Sequence, residues 1–528
     1  MRDGGGGTAG IEIPEMSAEA ESAAPRTDLR RFTSDIARVA GGNIGAQAIL
    51  FLASPILTRL YRPEDLGIAQ VVIASAGCVN LVSTLRYELA IPLPESDRDG
   101  RLLLALCIAL NALSGALLAG VVALFGVPLA RALGIDGATT ALWLLPAIVF
   151  AGGITQVVEA WSTRTRKFGE LARYRMTTTW SGVITQLGLG GAGFQNPLGI
   201  LLGKLVGPLV ATVRFGLRAM RPRSVPAKEG DADLDAKIDL HESKADAGAS
   251  LRRTRELAWR YRAFPIWNTW SSVVNFVAAE LPTWILAFHG DPQSVGCFAI
   301  ATLVLRAPMQ ILGNAVSRVF LGEGAHAARE GRLGELTERA LSVCAALGIV
   351  PVIGALSVGR ELSAIFGKEW HEAGIYIEIL APAVFVRFLA SPISQIFALA
   401  ERQRAQVVFQ LAQCAATFAI VATASAFLGP RGTIGAFAFA VGAKYLFLSW
   451  WLLGIAGADR SRAAWRVGRI VARALPLAAV LLALKWSLGA NAIVVVASAV
   501  LLAPVTLWWI LARELPELKA WFRSSGRR

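Results

Sequence analysis

The sequence predicts an all-α polytopic membrane protein. It should have about fourteen transmembrane helices, arranged as two pseudo-symmetric six-helix bundles plus two C-terminal helices. Three observations carry this expectation. Apolar residues make up 54% of the 528 and charged residues 17%, whereas soluble chains hold about 25% charge. The apolar residues fall in blocks of about 20, the length at which a helix crosses the hydrocarbon core. The first and second halves share a motif in register, described below. Together these features exclude a soluble enzyme, a disordered chain and a secreted disulfide scaffold.

Residues 1–31 are rich in Gly, Ala and Glu and carry no apolar core. They read as a disordered cytoplasmic tail rather than a signal peptide. Spans then follow at 36–58, 66–86, 102–126, 139–160, 176–194 and 197–217. These form the N-terminal bundle, over 32–217. Residues 218–260 contain AKEGDADLDAKIDLHESKADAGAS, polar and mixed in charge, and read as a flexible cytoplasmic linker. Spans at 264–288, 294–317, 337–358, 373–398, 405–428 and 432–457 form the C-terminal bundle, over 261–457. Helices thirteen and fourteen, at 468–488 and 490–512, lie within 458–512 and read as an appendage. Residues 513–528 form a second cytoplasmic tail.

Lys and Arg crowd the even-numbered loops and the two tails, and are sparse in the odd-numbered loops. That bias orients a multi-pass membrane protein with both termini cytoplasmic. The net charge of +14 is absorbed by this bias, so no nucleic-acid partner is expected. Cys78, Cys107, Cys297, Cys344 and Cys414 lie in apolar runs without a C-x-x-C pair. Neither a disulfide framework, a metal site nor a cofactor is expected.

The repeat shows at the ends of spans one and seven. Pro63 and Gly67 follow the first, and Pro292 and Gly296 follow the seventh, at the same offset. Polar stripes recur as well. Asn43, Gln47 and Ser54 share a face of span one, and Asn268, Ser271, Ser272 and Asn275 a face of span seven. Six spans per repeat place the halves parallel, with a substrate site between them. Gly203 and Gly207, and Gly41 and Gly45, spell G-x-x-x-G, read as close helix packing. Gly188, Gly190 and Gly193 spell G-x-G-x-x-G after a helix, outside a dinucleotide-binding context.

Charges within spans point to function. Lys204, Arg306, Arg387, Lys444 and Glu280 lie deep in the apolar runs. Each charge facing lipid at mid-bilayer costs about 2.5–3.5 kcal/mol, so they should face a watery cavity or one another. Glu280 can pair with Arg306 or Arg387. Arg38 and Arg86 lie nearer the cytoplasmic ends, where snorkelling is open to both and Arg86 can pair with Glu88. Lys485, near the outer end of span thirteen, reads as an interface anchor. Pro308, Pro382 and Pro392 flank the deep arginines and can kink their helices. A net positive cavity suits an anionic substrate such as a phosphate or acidic sugar. A cation exporter more often needs deep carboxylates. A membrane glycan polymerase or ligase typically needs a sizeable external loop, and none is found.

The stretch LTRLYRPEDLGIAQVV, followed by LRYELAIPLP, resembles the first helices of bacterial polysaccharide-biosynthesis membrane proteins. So do FPIWNTWSSVVNFVAAELPTWIL, VGCFAIATLVLRAPMQILGNAVSRVF and IFGKEWHEAGIYIEILAP in the second half. These are the O-antigen and exopolysaccharide flippases of the MOP superfamily, related to MATE exporters and the lipid II flippase. The resemblance implies a two-bundle transporter rather than an enzyme. It implies alternating-access movement of undecaprenyl-diphosphate-linked oligosaccharide for surface polysaccharide or lipopolysaccharide, with a polysaccharide polymerase or chain-length regulator as a possible partner. Arg38, Arg86, Arg306 and Arg387 match the basic residues that line the family's central cavity.

Overall fold

The computed structural model describes residues 24–216, 247–400, 402–487 and 492–514. Among these every regular element is helical. The long helices are α1 (Ala24–Leu60), α2 (Pro63–Ser83), α3 (Asp97–Ala132), α4 (Leu145–Arg164), α5 (Phe168–Gly191) and α6 (Pro197–Ala211). A shorter α7 (Ala247–Arg260) leads to α8 (Thr269–Phe288), α9 (Pro292–Arg329), α10 (Leu333–Phe366) and α11 (His371–Ile393). The chain continues through α12 (Gln403–Phe427), α13 (Gly429–Ile455), α14 (Arg460–Ser487) and α15 (Ala492–Glu514). Each of the fourteen predicted spans falls on one of these helices.

Among the described residues, twelve helical segments are long and apolar enough to cross a membrane, which makes this a multi-pass membrane protein. Within α1, Ile44–Leu60 forms a further, shorter apolar helix segment. Helix α5 falls outside the twelve because Arg173, Arg175, Thr177, Thr178, Thr179, Ser181 and Gln186 lower its hydropathy.

Helix starts follow local chemistry. Pro63, Pro197 and Pro292 occupy first positions, where no amide hydrogen is needed. Asn196 accepts the Gly199 backbone N–H at 3.2 Å, and Asp291 accepts that of Ser294 at 2.9 Å. Two sequence expectations are corrected here. Helix α1 begins at Ala24, inside the stretch read as a tail, and α7 occupies the last part of the expected linker. Low hydropathy masked both, because their folding rests on neighbouring helices or on α1's own continuation. Residues 1–23, 217–246 and 515–528 lie outside the described residues.

Contacts gather in two sets. In the first, α5 packs on α1 and α6, and α4 on α2 and α3. In the second, α11 packs on α9, α10 and α13, and α12 on α8 and α13. Helix α2 joins them by packing along α8 and α9. At the crossing of α2 and α9 a Cβ on Gly67 would strike the Pro292 carbonyl oxygen, and a Cβ on Gly296 would strike that of Pro63. The shared motif is therefore a reciprocal backbone contact. Gly203 and Gly207 likewise let α6 touch α5 at Gly182 and Thr178. In α1 the close residue is Gly42, 2.8 Å from Ala172 for an added Cβ, whereas Gly41 has open space around it. The expected Gly41–Gly45 packing face is thus shifted by one residue.

Helices α14 and α15 are integral to the second set, both packing on α10. Glu338 of α10, buried, accepts the Asp459 N–H at 3.2 Å and faces Arg466 Nη1 at 3.4 Å. Lys485 pairs with Glu361 of α10 at 2.8 Å rather than anchoring alone at the interface.

Gly296→Ala should destabilise the folded chain by about 1–3 kcal/mol, read as a lower thermal midpoint in detergent. Gly41→Ala should leave the midpoint unchanged. Glu338→Ala should cost roughly 1.5–3 kcal/mol, since it removes the buried carboxylate that Arg466 and the Asp459 N–H share. Its signature is early proteolytic release of α14 and α15.

Candidate functional site

Between the two sets lies a cavity of about 350 Å³ lined by residues from α1, α2, α5, α6, α8 and α9, and by Trp370. Its walls are largely apolar. The polar groups reaching it include Gln47 and Ser54 of α1, Gln70 of α2, Gln186 of α5, Lys204 of α6, and Arg306 and Gln310 of α9. The reciprocal glycine contact lies at one end. Trp370, 1% exposed, closes that end, its indole N–H donating to the Thr58 carbonyl at 2.8 Å. Arg62 and Glu369 face each other outside it at 4.0 Å.

The opposite end is linked through side chains. Leu85 and Arg86, after α2, both have positive φ, at 51° and 60°, a conformation uncommon for non-glycine residues. The turn brings Arg86 across to α8, where its Nη2 donates to Ser272 Oγ at 3.0 Å. Its other nitrogen meets Glu88 at 3.2 Å, and Thr84 Oγ1 donates to the same buried carboxylate at 2.5 Å.

Two further cavities extend into the second set. One, of about 100 Å³, is lined by Arg306, Arg387, Asn314 and Ser391 among others. The next, of about 210 Å³, is lined by Arg387, Lys444, Asn275, Gln406, Gln410 and Tyr445 among others. Arg306 belongs to the first two cavities and Arg387 to the last two, so the three adjoin. Lys444 Nζ lies 5.2 Å from the Tyr445 ring centroid and the Arg387 guanidinium 6.0 Å from it, within cation–π range.

Glu280 is the acid in this row. Its Oε1 lies 3.9 Å from Arg306 Nη1, and Thr283 donates to its Oε2 at 3.2 Å. Among the described residues no carboxylate pairs with Lys204, Arg387 or Lys444. Four cations facing one carboxylate leave the cavities positive, where low surrounding dielectric strengthens attraction for an anion.

The remaining sequence candidates divide. Gln47 lines the central cavity, Asn275 the third, and Ser272 holds Arg86. Ser271 donates to Gln410 at 2.9 Å. Asn268 ends the π-turn before α8 and is exposed, outside the three cavities. The side chains of Arg38 and Asn43 lie outside the described residues. Trp370, Gln70, Gln186 and Gln310 were not singled out. A polar residue every three or four positions in α5, from Thr178 through Ser181 and Thr185, was the available signal for Gln186. Trp370 carried none beyond its place in the resembling stretch.

The family model described as polysaccharide biosynthesis protein matches residues 56–223 and 242–375, more than half of the chain. Comparison with curated proteins finds no significant match. Among solved structures, the lipid II flippase MurJ in an inward closed conformation superposes with a TM-score of 0.63 at 11% identity, covering 91% of this chain and 98% of that one. The MATE transporter ClbM in complex with Rb⁺ gives a TM-score of 0.49 at 13% identity, covering 83% and 97%. At 11% identity the likeness to MurJ is one of fold, and the sequence match assigns the family. This chain belongs to the polysaccharide biosynthesis protein family, and its fold is similar to that of the lipid II flippase MurJ.

Proposed function

We propose that this protein is a flippase that moves undecaprenyl-diphosphate-linked oligosaccharide across the bacterial inner membrane by alternating access, with both termini cytoplasmic. The observation that carries the reading is the row of adjoining cavities, lined among the described residues by Lys204, Arg306, Arg387 and Lys444 and by one acid, Glu280, beside Arg306. The family match and the lysine/arginine bias support it.

Arg306 and Lys204, on opposite walls of the central cavity, hold the diphosphate by charge-assisted hydrogen bonds. Arg387 and Lys444 extend the positive field toward sugars, and Gln47, Gln70 and Gln186 meet hydroxyls. Arg86, with Arg38, draws the headgroup in at the cytoplasmic mouth, and the Arg86–Ser272 bond must open to admit it. Trp370 and the α2–α9 crossing close the periplasmic end in the state described, and rocking of the two helix sets exchanges the closures. The prenyl tail remains in the bilayer. Downstream, a polysaccharide polymerase or chain-length regulator consumes the product. The chain binds and moves its substrate without altering a covalent bond.

An exporter of cationic drugs is disfavoured by one observation: Glu280 is already engaged by Arg306, so no deep carboxylate in these cavities stands free for a cation.

Deleting the gene should trap lipid-linked oligosaccharide on the cytoplasmic side, and the intact gene should clear it. Arg306→Ala with Arg387→Ala, at normal expression, should lower clearance by roughly 100-fold or more, from about 1.5–3 kcal/mol for each of the two lost charged hydrogen bonds. Full rescue by the double variant removes these residues from the site. An unchanged precursor pool after deletion, in a strain without a second flippase, overturns the flippase reading. Glu280→Gln separates the two transport readings. It releases Arg306 and should preserve clearance of the lipid-linked glycan, whereas a cation exporter should lose drug efflux.

A further inference from the structure

Outside the cavities, α7 has a feature that transport leaves unexplained. One side of it docks on α3. Leu257 is buried in a cluster with Leu103, Cys107, Val157 and Trp161. Arg253 reaches Asp99 through Nε at 3.1 Å and Nη2 at 2.8 Å, and Tyr87 Oη donates to the Ala258 carbonyl at 3.0 Å. Ser250, Thr254, Leu257 and Ala258 thus mark the inward face at helical spacing.

The outward face is different in kind. Leu251, Arg255 and Trp259 follow one another at four-residue steps, with Arg252 and Arg262 beside them, and all five are exposed. Leu251 is 73% and Trp259 70% exposed, and the Arg262 guanidinium lies 4.2 Å from a Trp259 ring centroid. The acid at the edge of this face, Glu256, is occupied by Arg253 at 3.1 Å. Among the described residues Arg252, Arg255 and Arg262 have no ion-pair partner.

Position along the membrane normal selects the partner. The contact on α3 runs from Asp99 to Cys107, the first ~12 Å of a helix that crosses the bilayer. That is the depth of lipid headgroups and their acyl boundary, where tryptophan and arginine are favoured. It is also the end that the lysine/arginine bias assigns to the cytoplasm. A face of arginines alone would suit any anion. The interleaved Leu251 and Trp259 require a partner that is anionic outside and apolar beneath.

We propose that the outward face of α7 is a binding site for anionic phospholipid. Arg252, Arg255 and Arg262 hold headgroup phosphates, and Leu251 and Trp259 enter the acyl boundary. The helix then fixes the start of α8 to the membrane surface. This site is distinct from the cavities and does not depend on what they carry.

The test uses the full chain in nanodiscs of phosphatidylcholine, with and without phosphatidylglycerol. Hydrogen exchange over residues 247–262 should slow at least about threefold when phosphatidylglycerol is present. In Arg252→Gln, Arg255→Gln, Arg262→Gln the difference should vanish. Native mass spectrometry should show phosphatidylglycerol retention falling by roughly 100-fold in affinity, at about fivefold per arginine. Equal exchange of the wild-type chain in the two lipids overturns the proposal, and that comparison stands even if the variant fails to fold. Undiminished lipid-dependent protection in a variant with a wild-type melting midpoint also overturns it. Protection that answers only to an added acidic polypeptide, and not to phosphatidylglycerol, overturns it in favour of a protein partner.

Discussion

The architecture turns on the crossing of α2 and α9. Two carbonyls and two missing side chains meet there, Gly67 against Pro292 and Gly296 against Pro63. Few contacts in a helical membrane protein bring backbones this near, and they depend on small residues, because lipid gives apolar side chains little reason to associate. The crossing fixes how close the two sets approach at one end. It thereby sets the width of the cavity beside it and the position in which Trp370 reaches the Thr58 carbonyl. Because the same motif supplies both sides, the contact is self-complementary about a pseudo-two-fold axis. A shift of one helix is matched by an equal demand on the other.

The second organising constraint is electrostatic. Lys204, Arg306, Arg387 and Lys444 lie within apolar helices, and protein-lined cavities accommodate all four. Glu280 answers one of them. The asymmetry between the halves is informative. The first set contributes one of these cations, Lys204, while the second contributes the other three, and amide side chains come from both. Cations interleaved with amides suit a ligand with a charged portion and a hydroxylated one, the chemistry of the proposed phosphate-linked sugar.

Much of this was legible in the sequence, for reasons that differ by element. The long apolar helices were readable because a run of twenty apolar residues has few alternatives in a chain of this composition. The deep cations stood out because their insertion cost demands a cavity. The repeat motif was visible, but the reciprocal contact it makes was not, since sequence spacing does not say which residues from distant segments will touch. Trp370 was missed for the same reason. It sits between helices, and its partner, Thr58, is 312 residues away. Helix α7 was hidden by its own composition: arginines and small polar residues read as linker, and only the Leu257 pocket and Asp99 on α3 commit them to a helix. Asn268 went the other way. It fits the polar stripe by position, yet the π-turn through Phe264–Asn268 takes it off the face it was expected to share.

The anchorage of α14 has a consequence for biogenesis. Glu338 emerges from the ribosome 121 residues ahead of Asp459, the start of the segment that brings Arg466. At about 5–20 residues per second, roughly 6–24 s separate the two. Glu361 waits a similar time for Lys485. Throughout that interval α10 carries two carboxylates whose partners do not yet exist, on a helix that must already occupy the membrane. Completion of the second helix set is therefore a late event in synthesis, and α14 is the piece that supplies both partners.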